Sequence, residues 1–178
     1  MNNIQKIFYT LLSFVSLLVI VGLILPDNAH IERKIHIKAN ASTIFPHINS
    51  MKAFYQWSPW TVTDLNTKYE FTGPESGINS EMIWSNQTAN SGRGSQIITH
   101  EVKNERVDTI LDFGEETKGV SYFYLVEEHD ATQVTWTFDT QFGWDLFSRY
   151  IGLFLDKLIG PSYETGLMNL KVLVEAKR

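Results

Sequence analysis

From Lys68 to Thr140 the chain alternates in steps of two, and clusters of turn-forming residues cut that stretch into consecutive short segments. The cuts fall at Gly73-Pro74-Glu75-Ser76-Gly77, Asn90-Ser91-Gly92, Lys103-Asn104-Glu105, Glu115-Glu116 and His129-Asp130, which predicts six strands in a row. Beyond Gly143 the spacing changes to three and four: Phe147, Tyr150, Ile151, Phe154 and Leu158, then Tyr163, Leu167, Leu170 and Val174. Gly160-Pro161 interrupts this pattern, so the spacing predicts one long helix kinked there or two helices in series.

Upstream, Ile31 to Lys38 alternates as a first strand, with Ile31, Ile35 and Ile37 on one side. Asn40 and Ser42 offer oxygens to cap a short helix over 41–49, and a second short helix follows over 51–57. The order is therefore strand, two short helices, six strands, long helix. An α+β fold in which a curved, antiparallel seven-stranded sheet wraps the C-terminal helix is the simplest way to bury both apolar faces.

One segment does not belong to that scheme. Residues 7–25 form an uncharged apolar run long enough, as a helix, to cross a bilayer's hydrocarbon core. A cleaved signal peptide has a shorter apolar region and a small-residue cleavage site, which Asp27-Asn28-Ala29 does not provide. We expect a retained single-pass anchor with linker over 1–28 and a folded domain over 29–178. Lys6 and the amino terminus precede the run, so the domain is expected on the extracytoplasmic side.

Composition excludes several functions. The formal net charge of -5, with scattered Lys and Arg, argues against a nucleic-acid groove. The chain has no cysteine, which removes disulfides, thiolate metal sites and cysteine nucleophiles together. Its histidines, at 30, 36, 47, 100 and 129, never take the spacing that sets two nitrogens on one helix face, so neither a metal nor a cofactor is expected. Glu115-Glu116 and Glu127-Glu128 fall at predicted turns and read as solvated loop charge. Gly92-Arg93-Gly94-Ser95 lacks the strand-to-helix setting of a nucleophile elbow, so its glycines read as hairpin geometry.

Several segments carry a resemblance: Phe54-Tyr55-Gln56-Trp57-Ser58-Pro59-Trp60, Tyr69-Glu70-Phe71-Thr72-Gly73-Pro74, Trp84-Ser85-Asn86, Val134-Thr135-Trp136-Thr137-Phe138-Asp139 and 159–167. With the order of elements, they make residues 31–175 similar to the SRPBCC superfamily, the START-like helix-grip proteins that include bacterial polyketide cyclase/dehydrase and lipid-transport-like members. The resemblance implies a cavity between sheet and helix that accepts lipids, steroids or polyketides. It implies no single activity and no catalytic residue.

Trp57, Trp84, Trp136, Phe138, Tyr150, Phe154, Tyr163, Leu167 and Leu170 are the candidate cavity lining, because large aromatic and aliphatic groups suit an apolar wall. Plain core packing would use the same residues. The expected function is a membrane-tethered binding or carrier module for a hydrophobic small molecule or lipid. Two alternatives stay open: a cyclase- or dehydratase-like enzyme working through a polar cavity residue, and an interaction domain whose interior is filled by side chains.

Overall fold

A computed structural model describes residues 2–61, 66–86, 92–114 and 118–176. Helix α1 (Asn3–Ile24) is followed by β1 (Asn28–Ile37), α2 (Ala41–Ile48), α3 (Met51–Trp57), β2 (Lys68–Thr72), β3 (Glu81–Ser85), β4 (Arg93–Val102), β5 (Arg106–Asp112), β6 (Lys118–Glu128), β7 (Ala131–Gln141) and α4 (Leu146–Glu175). Residues 90–91 and 115–116 of the predicted turns lie outside the described residues.

The seven strands form one antiparallel sheet in the order β1-β7-β6-β5-β4-β3-β2. Each of the six later strands pairs with its chain neighbour, and β1 closes the far edge against β7. Alternation then decides the faces. The concave side takes Ile31 and Ile37 of β1, Val134, Trp136 and Phe138 of β7, Phe123 and Leu125 of β6, Val107 and Leu111 of β5, and Ile98 of β4, all buried. Opposite, Tyr122 and Tyr124 of β6 lie under the Arg106 guanidinium, 5.2 Å from each ring centre.

Helix α4 is a single helix across Gly160-Pro161. Proline deletes one amide donor, but Ile159 before it and Tyr163, Leu167 and Leu170 after it pack on the same core, which keeps the helix continuous. Asp145 caps its start by accepting from the amides of Phe147 (3.0 Å) and Ser148 (3.2 Å), and the Ser148 hydroxyl adds a third bond at 2.6 Å. Those bonds, the hydroxyl's first, hold the Asp145 carboxyl below the usual carboxylate range.

Two local expectations are corrected. Asn40 makes no side-chain cap on α2. The amide of Ala41 instead donates to Glu127 Oε1 at 2.6 Å. Glu127 and Glu128 therefore stand at the end of β6 rather than in a turn, with work to do there: Glu128 Oε2 sits 3.2 Å from His36 Nε2.

Candidate functional site

Trp136, in mid-β7, projects from the concave face toward α3 and α4 and becomes the centre of an aromatic cluster. Phe123 stacks on it with ring centres 5.0 Å apart, Tyr163 of α4 lies at 4.1 Å, Trp57 and Phe54 of α3 meet it edge-on at 5.4 and 5.8 Å, and Trp60 closes the rim at 5.7 Å. Gly166 lets the helix come this close, since a Cβ there would stand 2.8 Å from the Trp136 ring. The two buried indoles have satisfied donors: Trp136 Nε1 donates to Ser121 Oγ (2.8 Å) and Trp57 Nε1 to the His47 carbonyl (2.9 Å). Burial pushes the Tyr163 phenol far above its ordinary pKa, so it stays protonated.

Beside Trp136 runs a buried strip of neutral polar groups. Ser121 Oγ, which accepts from the indole, donates to the Thr137 carbonyl at 2.6 Å. Thr109 Oγ1 donates to the Ser121 carbonyl at 3.4 Å and accepts from Gln96 Nε2 at 3.0 Å. Inside an apolar grip such a chain is tolerated because each member has a partner.

Past that strip, toward the β7 C-terminus, the packing changes character. Gly119 and Gly94 leave bare backbone on the concave floor, and the rings of Phe138 and Trp84 lie on it: a Cβ would come 2.2 Å from the first at Gly119 and 2.3 Å from the second at Gly94. Phe113, 43% exposed, bridges the two, 6.3 Å from Phe138 and 5.9 Å from Trp84. These three rings roof the outer end of the grip. Gly94 is thus a seat for Trp84, whereas Gly92, at a φ of +51°, keeps the turn role expected of both.

Side chains occupy the centre of the grip, where a hollow was expected, because indole and phenyl rings from both layers interdigitate around Trp136. Hollows open elsewhere. One of about 830 Å³ lies on the convex side, at Lys68, Glu70, Ile83, Ser85 and Arg93, and one of about 110 Å³ lies between Pro26, His30, Arg149 and Gly152.

Of the candidate residues, Trp57, Trp136, Tyr163, Leu167 and Leu170 are buried in the grip, and Phe138, also buried, and Trp84 lie at its outer end. Tyr150 and Phe154 do not join them. Nine residues separate Phe154 from Tyr163, about two and a half turns, so they take opposite faces of α4. Phe154 is 54% exposed, and the Tyr150 hydroxyl donates to the Leu18 carbonyl of α1 at 2.6 Å.

Charged groups are kept to the margins. Arg33, on the inward side of β1, donates to Asp156 (2.8 and 3.1 Å) and Glu164 (2.7 Å) of α4, and Gly160 leaves the room for its guanidinium. That pairing lowers the Asp156 carboxyl below its ordinary range. Asp139 and Arg149 do not meet: Asp139 sits 2.7 Å from His30 Nδ1, while Arg149 turns to α1. His36 and His100 also lie on the convex side, with Glu128 and Asp108.

Sequence reasoning gave Gly94 a turn role and passed over Gly119, Phe113 and the Gln96-Thr109-Ser121 strip. A glycine inside a strand pattern was the available signal, because it marks a place where something comes close to the backbone.

Comparison with known proteins agrees with this geometry. Residues 28–175 match the family model described as polyketide cyclase / dehydrase and lipid transport. No curated protein matches the chain significantly. Solved structures with the same fold include norcoclaurine synthase from Thalictrum flavum in complex with dopamine and hydroxybenzaldehyde (TM-score 0.63, 10% identity, covering 89% of this chain and 93% of that one). A Staphylococcus aureus protein of unknown function aligns with TM-score 0.61 and 15% identity over 85% of this chain and 97% of its own. An uncharacterized Rhizobium leguminosarum protein aligns with TM-score 0.59 and 16% identity over 84% and 95%. At these identities the likeness concerns the fold.

Proposed function

The chain belongs to the polyketide cyclase/dehydrase and lipid-transport family, and from that premise we propose that it is a membrane-tethered binding module for a hydrophobic small molecule or lipid, taken up at the outer end of the grip. The observation that carries this reading is the roof in which Trp84 rests on Gly94, Phe138 rests on Gly119, and Phe113 bridges the two rings. Two rings laid on bare backbone beneath a partly exposed Phe113 can swing away without dismantling the Trp136 cluster. A greasy ligand that replaces them regains apolar contact worth about 25 cal/mol per Å² before association costs. The buried amide and hydroxyls of Gln96, Thr109 and Ser121, uncovered when the roof opens, would then orient it.

We read binding rather than catalysis because the strip beside this roof is neutral, while the imidazoles of His30, His36 and His100 stand on the convex face. The anchor reading has its support in α1, which is long, apolar and almost wholly exposed. We place the domain on the extracytoplasmic side, following Lys6 and the amino terminus. In that orientation an impermeant thiol reagent applied to intact cells labels a Lys103→Cys variant, and in the opposite one it does not.

The test of binding is native mass spectrometry of the full chain, held in amphipol after exposure to membrane extract, with a solvatochromic lipid probe alongside. We expect a bound species, and Phe138→Ala should raise probe occupancy on the order of tenfold by removing the cost of opening. An empty chain with no probe response in either form would instead support the second reading, an interaction domain with a filled interior, which the packing around Trp136 favours.

A further inference from the structure

The outer face of α4 is unusual for a helix that covers a water-soluble domain. Phe147, Ile151, Phe154 and Leu158 recur at four, three and four residues, which sets them on one stripe opposite the buried Tyr163, Leu167 and Leu170. Phe147 is 74% exposed and Leu158 62% exposed, and Trp144, just before the helix, is 84% exposed. Of the charges in this half of the helix, Arg149 is buried and Asp156 is held by Arg33, which leaves Lys157 facing outward.

The same half of α4 is bonded to the end of α1. Arg149 Nη1 donates to the carbonyls of Gly22 (3.5 Å), Leu23 (3.3 Å) and Leu25 (3.2 Å), and so neutralises the free carbonyl end of the apolar helix with a cation. Gly22 brings the helices together, since a Cβ there would be 3.2 Å from the Tyr150 ring. Tyr150 reaches further, to the carbonyl of Leu18. Leu18 lies six residues before Ile24, so this bond sits about 9 Å inside the apolar span. Interfacial helices bury their apolar faces by about 5–10 Å.

We propose that the first half of α4 is an interfacial helix whose Phe147-Ile151-Phe154-Leu158 stripe lies in the head-group and upper acyl region of the bilayer that α1 crosses, holding the grip domain flat on that membrane. This rests on α1 spanning the bilayer. Only Leu25, Pro26 and Asp27 separate α1 from β1, so the domain cannot stand away from the surface. Trp144 takes the place of an interfacial aromatic, and Lys157 extends its charge toward phosphate. A second protein copy is the other possible cover. It would leave the α1 carbonyls and Tyr150 pinned at lipid depth with the stripe beside them in protein.

The absence of cysteine makes the test direct. Full-length single-cysteine variants Leu12→Cys, Phe154→Cys and Lys103→Cys are labelled with bimane and reconstituted in phosphatidylcholine vesicles carrying doxyl groups either near the head group or near the chain end. Leu12→Cys should be quenched most by the deep doxyl, Lys103→Cys by neither, and Phe154→Cys at least about twofold more by the shallow doxyl than by the deep one. If Leu12→Cys is quenched while Phe154→Cys behaves like Lys103→Cys, the interfacial helix is refuted and the anchor stands, as it would with a second copy on the stripe. If Leu12→Cys is not quenched, the anchor fails and this inference with it.

Discussion

The two ends of the grip are built from the same kinds of residue and hold them differently. Around Trp136, Phe123 of the sheet stacks, Phe54 and Trp57 of α3 meet it edge-on, Tyr163 of α4 tilts against it, and the Trp136 and Trp57 indole nitrogens are bonded to Ser121 and His47. At the outer end, Phe138 and Trp84 lie on the glycine backbone of Gly119 and Gly94, and Phe113 joins them at 6.3 and 5.9 Å. Aromatic content alone therefore does not make a cavity wall. What decides is whether a ring is locked from several sides or rests on a surface it can leave.

The sharpest way to break this contrast is to truncate one ring at each end. Trp136→Ala should destabilise the domain by about 3–5 kcal/mol, measured by urea unfolding of the full chain in mild detergent. Phe113→Ala should fall well below that, and equal losses would remove the distinction. Filling the floor comes next: Gly119→Val drives a side chain into the Phe138 ring and should cost about 1–3 kcal/mol, with Phe138 displaced outward and more accessible to acrylamide-type quenching of nearby tryptophan. A smaller loss, about 1–2 kcal/mol, is expected for Ser121→Ala, which strips the acceptor from the buried Trp136 indole. Threonine at that position, which keeps the hydroxyl, should recover most of it.

The smallest effect concerns pH and lies at the edge of the grip. The folded Asp145 and Asp156 carboxyls are held below their unfolded values, so the stability they contribute is present above the unfolded carboxylate range near pH 4 and is lost as pH falls through the depressed folded values. Asp145→Asn and Asp156→Asn should each flatten the acid limb of a stability–pH curve and leave the neutral region's slope unchanged. A limb as steep as in the parent chain would show that these carboxylates do not drive acid unfolding.

Much of this was legible in the chain. Period-two alternation with five turn clusters fixes the number of strands, and short connections force antiparallel neighbours, so the sheet follows from local signals. The long helix followed too, although its stripe misled: Tyr150 and Phe154 share the three-and-four spacing with Tyr163 and Leu167, yet Gly160-Pro161 separates two stretches whose apolar residues lie on opposite faces. Spacing within a stretch is local, whereas the phase between stretches accumulates over every residue and is easily lost. In the same way Gly94 looked like part of a turn, because the ring that rests on it comes from Trp84 on another strand.

The amino-acid sequence alone determined the order of elements, the family, the apolar span of α1 and which residues are large enough to fill an interior, since each depends on neighbours along the chain. Tertiary structure alone decided that the Trp136 end is packed, that Phe138 and Trp84 lie on glycines, that Arg149 caps α1, and that Phe154 faces outward. Those outcomes depend on distances between residues remote in sequence, where a single methyl group at Gly119 or Gly166 would change the answer.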